Sequence, residues 1–133
     1  MKKRRWIIGT LLLVSLFISV NERPALFAQS DKASEVALKG EVVDLHCYMA
    51  RGAKGAEHAA CTDSCISRGV SAGFLAEDGK LYLLLESKPV SVKDRVANLG
   101  GRQVRLSGTM IERDGVKAIM LSSIEQATES QKR

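Results

Sequence analysis

Two Asp-Gly pairs, Asp78-Gly79 and Asp114-Gly115, each stand between apolar runs, and nothing else in the chain restricts its fold as strongly. A two-residue hairpin loop needs backbone with positive φ, which Asp-Gly supplies at little cost, so such a pair between apolar segments marks a tight antiparallel turn. The first pair joins Gly73-Phe74-Leu75-Ala76 to Leu81-Tyr82-Leu83-Leu84-Leu85, and the second joins residues 104–113 to residues 116–124. In the strand before the second turn, Val104, Leu106, Gly108 and Met110 share one face while Gln103, Arg105, Ser107 and Thr109 share the other. Period-two alternation of this kind buries one face only. Gly108 suits a sharp bend in that long strand, because a residue without a side chain bends there most cheaply.

Upstream, Gly40-Glu41-Val42-Val43-Asp44-Leu45-His46-Cys47-Tyr48 alternates from Ala37 onward and reads as a further strand. Residues 49–56, rich in Gly and Ala, carry neither period and read as a loop, and residues 57–68 have helical spacing closed by Gly69. Residues 92–99 are compatible with a helical turn or two before Gly100-Gly101. The expected class is therefore mostly β: a small five-stranded OB-like Greek-key barrel with a Cys/His-containing helical insertion between strands 1 and 2. A generic five-stranded sandwich or open sheet is the alternative. The barrel is expected over residues 37–125, with a polar tether at 29–36 and a disordered tail at 126–133.

The first 28 residues read as a signal peptide. Lys2-Lys3-Arg4-Arg5 precedes the apolar run Trp6 to Val20, a polar break at Asn21-Glu22-Arg23-Pro24, and Ala25-Leu26-Phe27-Ala28 before Gln29. Charge, apolar core and small residues in that order form a secretory leader, and the apolar run is shorter than the about 20 residues of a bilayer span. The protein is thus expected to be exported, periplasmic or extracellular, and to touch a membrane only if the leader stays uncleaved. Five of the 20 Lys and Arg residues and one of the 15 Asp and Glu residues precede Gln29, so the formal charge of +5 drops to +1 on cleavage. That leaves no electrostatic basis for binding nucleic acid. Tyr48, Phe74 and Tyr82 lie in apolar runs and read as core, not as a stacking platform for bases.

Chemistry concentrates in one stretch. All 3 cysteines and both histidines lie between His46 and Cys65. On a helix, His58, Cys61 and Cys65 sit at i, i+3 and i+7 and form one stripe. Cys47 shares a strand face with Val43 and Leu45, so a helix packed there brings Cys47 to the stripe. Cys47, His58, Cys61 and Cys65 make a Cys3His set suited to tetrahedral zinc or, with thiolates dominant, to copper(I). Met49 is a candidate additional soft donor. His46 is another, provided the strand ends or twists before it.

The competing reading is a disulfide, since an exported small domain gains roughly 2–4 kcal/mol from a bridge. Cys47 would then pair with Cys61 or Cys65, and the odd count leaves one thiol over. No Cys-x-x-Cys or Cys-x-x-Cys-His occurs, so neither a thioredoxin-type pair nor covalent haem is supported. A thiol nucleophile assisted by His58 and Asp63 can be drawn but lacks a defining pattern, and the glycines at 52 and 55 form no phosphate loop.

The Cys61-x-x-x-Cys65 spacing resembles that of copper sites in exported respiratory proteins and their assembly factors. From Gly40 to Ile124 the chain resembles the small exported bacterial OB-like proteins of unassigned function that open with Gly-x-Val-Val-Asp-x-x-Cys-Tyr and carry a His-x-x-Cys-x-x-x-Cys insertion. That resemblance implies a location and a fold, and no activity. The expected function is binding: a copper or zinc module, accessory to a respiratory or redox partner in the cell envelope. The alternative is an OB-like module for a ligand or protein, with purely structural cysteines.

Overall fold

The structure is a computed structural model, and it describes residues 33–89 and 91–127. Five strands, β1 (Ser34–Asp44), β2 (Ala72–Ala76), β3 (Leu81–Leu85), β4 (Gln103–Arg113) and β5 (Val116–Gln126), close into a barrel in the order β1-β2-β3-β5-β4. All neighbours are antiparallel except β3 and β5, which run parallel with Leu84 opposite Ile119. This is the OB-like arrangement expected from the element order. Both Asp-Gly pairs sit at hairpin turns, with Gly79 at φ 80°, Asp114 at φ 50° and Gly115 at φ 81°.

Closure depends on the long strands. The first part of β1 pairs with β4 and its last five residues pair with β2, so one strand serves both sides of the barrel. The β4–β5 ladder slips register between Ser107 and Gly108, and a Cβ on Gly108 would collide with the Met120 carbonyl oxygen. Gly108 thus provides the bend that its position in the alternation predicts. Phe74, Ile119, Leu121, Val42 and Val104 fill the interior, and a short helix α3 (Val92–Arg95) closes one end by burying Val92 and the following Val96. Ser91 caps that helix by accepting a hydrogen bond from the Asp94 amide.

The β1–β2 connection departs from expectation. The strand ends at Asp44, and residues expected to continue it form a helix, α1 (Leu45–Arg51). Met49 belongs to this helix and not to a loop. A single-turn 3-10 segment (Ala56–His58) follows, and then α2 (Ala59–Ser67), which is shorter than the helix expected over 57–68. Asp44 causes the switch: its side chain accepts a hydrogen bond from the Cys47 amide at 2.8 Å, satisfying a free donor of the new helix. Gly52, at φ 69°, ends α1 and donates to the Tyr48 carbonyl at 2.7 Å.

The edges differ as well. Ser34 opens β1, so residues 34–36 belong to the barrel and not to a tether, and β5 runs to Gln126, past the expected boundary. The expected leader, residues 29–32 of the tether, and residues 128–133 of the expected tail lie outside the described residues. Among the described residues, no helix is long and apolar enough to cross a membrane.

The insertion is fixed to the barrel by the β3–β4 connection. The Gly100 amide donates to the Asp63 side chain at 2.9 Å, and the Gly101 amide donates to the Val42 carbonyl at 2.8 Å. A Cβ on Gly100 would stand 2.8 Å from Asp63 Oδ1 and 2.9 Å from the Ala59 carbonyl oxygen. Only glycine lets this backbone lie so close to α2. On the other side, the Gly55 amide donates to the buried Glu41 carboxylate at 3.2 Å.

Candidate metal centre

With both ends of the insertion fastened, α1 and α2 bring the three cysteines together. The sulfurs of Cys47, Cys61 and Cys65 all lie within 4.8 Å of one another, and all three cysteines are free. Cys47 points inward from the first turn of α1, one turn after its Asp44 cap. Cys61 and Cys65 are a turn apart on α2, and the buried residues Thr62, Cys65 and Ile66 mark the face that α2 turns to the barrel. Cys47 and Cys65 are buried, while Cys61 is half-buried and nearest to solvent.

A second group shares Cys47. An Asp44 oxygen, the Cys47 sulfur and a His58 ring nitrogen also lie within 4.8 Å of one another. Asp44 is fully buried; besides the Cys47 amide it accepts a hydrogen bond from the Thr62 hydroxyl at 3.4 Å. His58 Nε2 faces Asp44 Oδ2 at 3.6 Å, beyond hydrogen-bond range, and is buried with no hydrogen-bond partner. A buried polar atom without a partner is uncommon, and an ion is one of the things that satisfies it.

Each buried sulfur also receives a guanidinium. Arg51 Nη2 donates to Cys47 Sγ at 3.2 Å from one turn further along α1, and Arg68 Nη2 donates to Cys65 Sγ at 3.6 Å from the end of α2. Such donors stabilise negative charge on sulfur. The Cys47 thiol is nevertheless pushed up to about 11, first by burial and then by its hydrogen bond to Asp44 and the charge of that carboxylate, against the lowering influence of Arg51. A nucleophilic thiol needs the opposite shift. A bound cation reverses it, because coordination removes the thiol proton outright.

The expected ligand set is therefore brought together in part. Cys47, Cys61 and Cys65 converge as foreseen, although Cys47 arrives on a helix and not on a strand face. His58 does not extend the stripe of Cys61 and Cys65, since it ends the 3-10 segment before α2 begins; it stands with Asp44 beside Cys47. His46 and Met49 belong to neither group: both are exposed, Met49 by 72%. Sequence reasoning missed Asp44, Arg51 and Arg68. Asp44 was recoverable as an N-cap before a helix-compatible run, and Arg51 follows Cys47 at i+4 once α1 is recognised.

Comparison with models of protein families, with curated proteins and with solved structures finds no match to this chain. What the site does must be argued from its own geometry.

Proposed function

We propose that the chain is an exported metal-binding module whose β1–β2 insertion holds a copper or zinc ion. The convergence of three free sulfurs within 4.8 Å carries this reading. Soft thiolates in such a cluster favour copper(I), zinc or iron–sulfur chemistry over hard cations. Cys47, Cys61 and Cys65 are the thiolate ligands; for zinc, His58, with its unpartnered buried Nε2, is the fourth donor. Asp44 supports the site by holding the Cys47 amide, and its carboxylate lies 3.6 Å from that same Nε2.

Export follows from the order of charge, apolar run and small residues before Gln29. In the cell envelope, the module would deliver metal to, or support, a respiratory or redox partner. The competing account, an OB-like binding module with two cysteines bridged as a staple, is separated by a thiol count.

The test is elemental analysis of protein purified without chelator or affinity-tag metal, together with alkylation of denatured protein read by mass spectrometry. The expected result is about one equivalent of copper or zinc with all 3 cysteines alkylated, and loss of the metal in Cys61→Ser and Cys65→Ser. Protein without metal and with a single alkylated cysteine would overturn the reading in favour of the staple.

A further inference from the structure

The two guanidiniums are placed alike. Arg51 and Arg68 are both exposed residues at helix ends, and each turns back to donate to the cysteine sulfur about one turn before it, at 3.2 Å on Cys47 and 3.6 Å on Cys65. No fold requirement puts a cation at both buried sulfurs. Resting on the metal site described above, we propose that Arg51 and Arg68 set its preference toward a soft monovalent cation, copper(I), over zinc.

Three thiolates around a monovalent ion leave a centre with two net negative charges, whereas the same thiolates around a divalent ion leave one, and a neutral imidazole changes neither. A fixed cation at the sulfurs stabilises the first centre more than the second. Both ions start from the same metal-free site, so whatever the arginines do there cancels from the ratio of the two affinities. Each guanidinium therefore shifts that ratio toward copper(I). Asp44, buried beside Cys47, pulls toward the divalent ion, but its carboxylate is already engaged by the Cys47 amide and the Thr62 hydroxyl and faces His58. The arginines contact the sulfurs directly.

The test measures two affinities on the full chain: copper(I), supplied anaerobically against a chromophoric copper(I) chelator, and zinc against a zinc-binding dye. Because both arginines are open to solvent on one side, screening keeps the effect of each to about fivefold. Arg51→Gln and Arg68→Gln are each expected to lower the copper(I)-to-zinc affinity ratio about fivefold, and the double variant further than either alone. Arg51→Lys and Arg68→Lys, which keep the charge, should hold most of the ratio, with circular dichroism reporting an unchanged fold throughout. A ratio unmoved or raised in the Gln variants, with both metals still bound, would overturn the role of the arginines and leave the metal site standing. Failure of the unsubstituted chain to bind either metal would overturn both.

Discussion

Replacing Asp44 separates the structural and electrostatic parts of the site. Its carboxylate is fully buried, accepts from the Cys47 amide at 2.8 Å and the Thr62 hydroxyl at 3.4 Å, and faces His58 Nε2 at 3.6 Å. Asp44→Ala removes an N-cap, at about 1 kcal/mol, and leaves the Cys47 amide buried without an acceptor, at about 1–3 kcal/mol. The lost cap is part of that amide penalty, so the total is about 1–3 kcal/mol. For a domain of this size that lowers the melting temperature by roughly 5–20 °C. Asp44→Asn keeps an acceptor oxygen and an equally good cap, and should cost under about 1 kcal/mol. The assay is urea unfolding of the reduced, metal-free chain, with the shift in midpoint read at constant slope. The Asn variant should also alkylate faster at Cys47 than the unsubstituted chain, since the carboxylate charge is one of the causes holding that thiol high. Equal losses for Asn and Ala, or a loss below about 0.5 kcal/mol for Ala, would refute the capping account.

Three other outcomes follow from the same geometry. The Cys47 thiol has a higher pKa folded than its ordinary 9.0, so the stability it contributes is fully present below pH 9.0 and is lost as pH rises toward about 11. Urea midpoints of the metal-free chain should fall across that window more steeply than those of Cys47→Ser, and parallel curves would contradict this. Gly100→Ala should destabilise by about 1–3 kcal/mol because its Cβ would crowd Asp63 and Ala59, and Phe74→Ala, at a fully buried position, should cost about 3–5 kcal/mol; denaturant midpoints check both. His46→Ala and Met49→Ala should leave metal stoichiometry and affinity unchanged, since both side chains are exposed and outside the clusters, and a lost equivalent in either would return that residue to the ligand set.

The barrel was legible because its determinants are local. Asp-Gly turns, alternation around Gly108 and the helical turn before Gly100-Gly101 each act within a few residues, and together they leave few topologies. The insertion was harder to read. Alternation through Leu45, His46 and Cys47 continues past the end of β1, and only the hydrogen bond from the Cys47 amide to Asp44 shows that a helix has begun. Period alone could not weigh that bond against two more residues of strand. The convergence of the three cysteines was expected on condition that a helix packed over the end of β1, but the placement of His58 with Asp44 beside Cys47 was not, since His58 ends a 3-10 turn before α2 begins. Arg51, Arg68 and the close approach of Gly100 depend on contacts between elements, and residue spacing carries little information about those.

The most direct test of the central claim is X-ray absorption at the metal edge of protein loaded with one equivalent of copper(I) or zinc. Three sulfur scatterers at about 2.3 Å are predicted for the chain with Cys47, Cys61 and Cys65 intact, and that sulfur shell is lost in Cys61→Ser. A first shell of nitrogen and oxygen alone, unchanged by that substitution, would contradict the assignment of the cysteine cluster as the metal site.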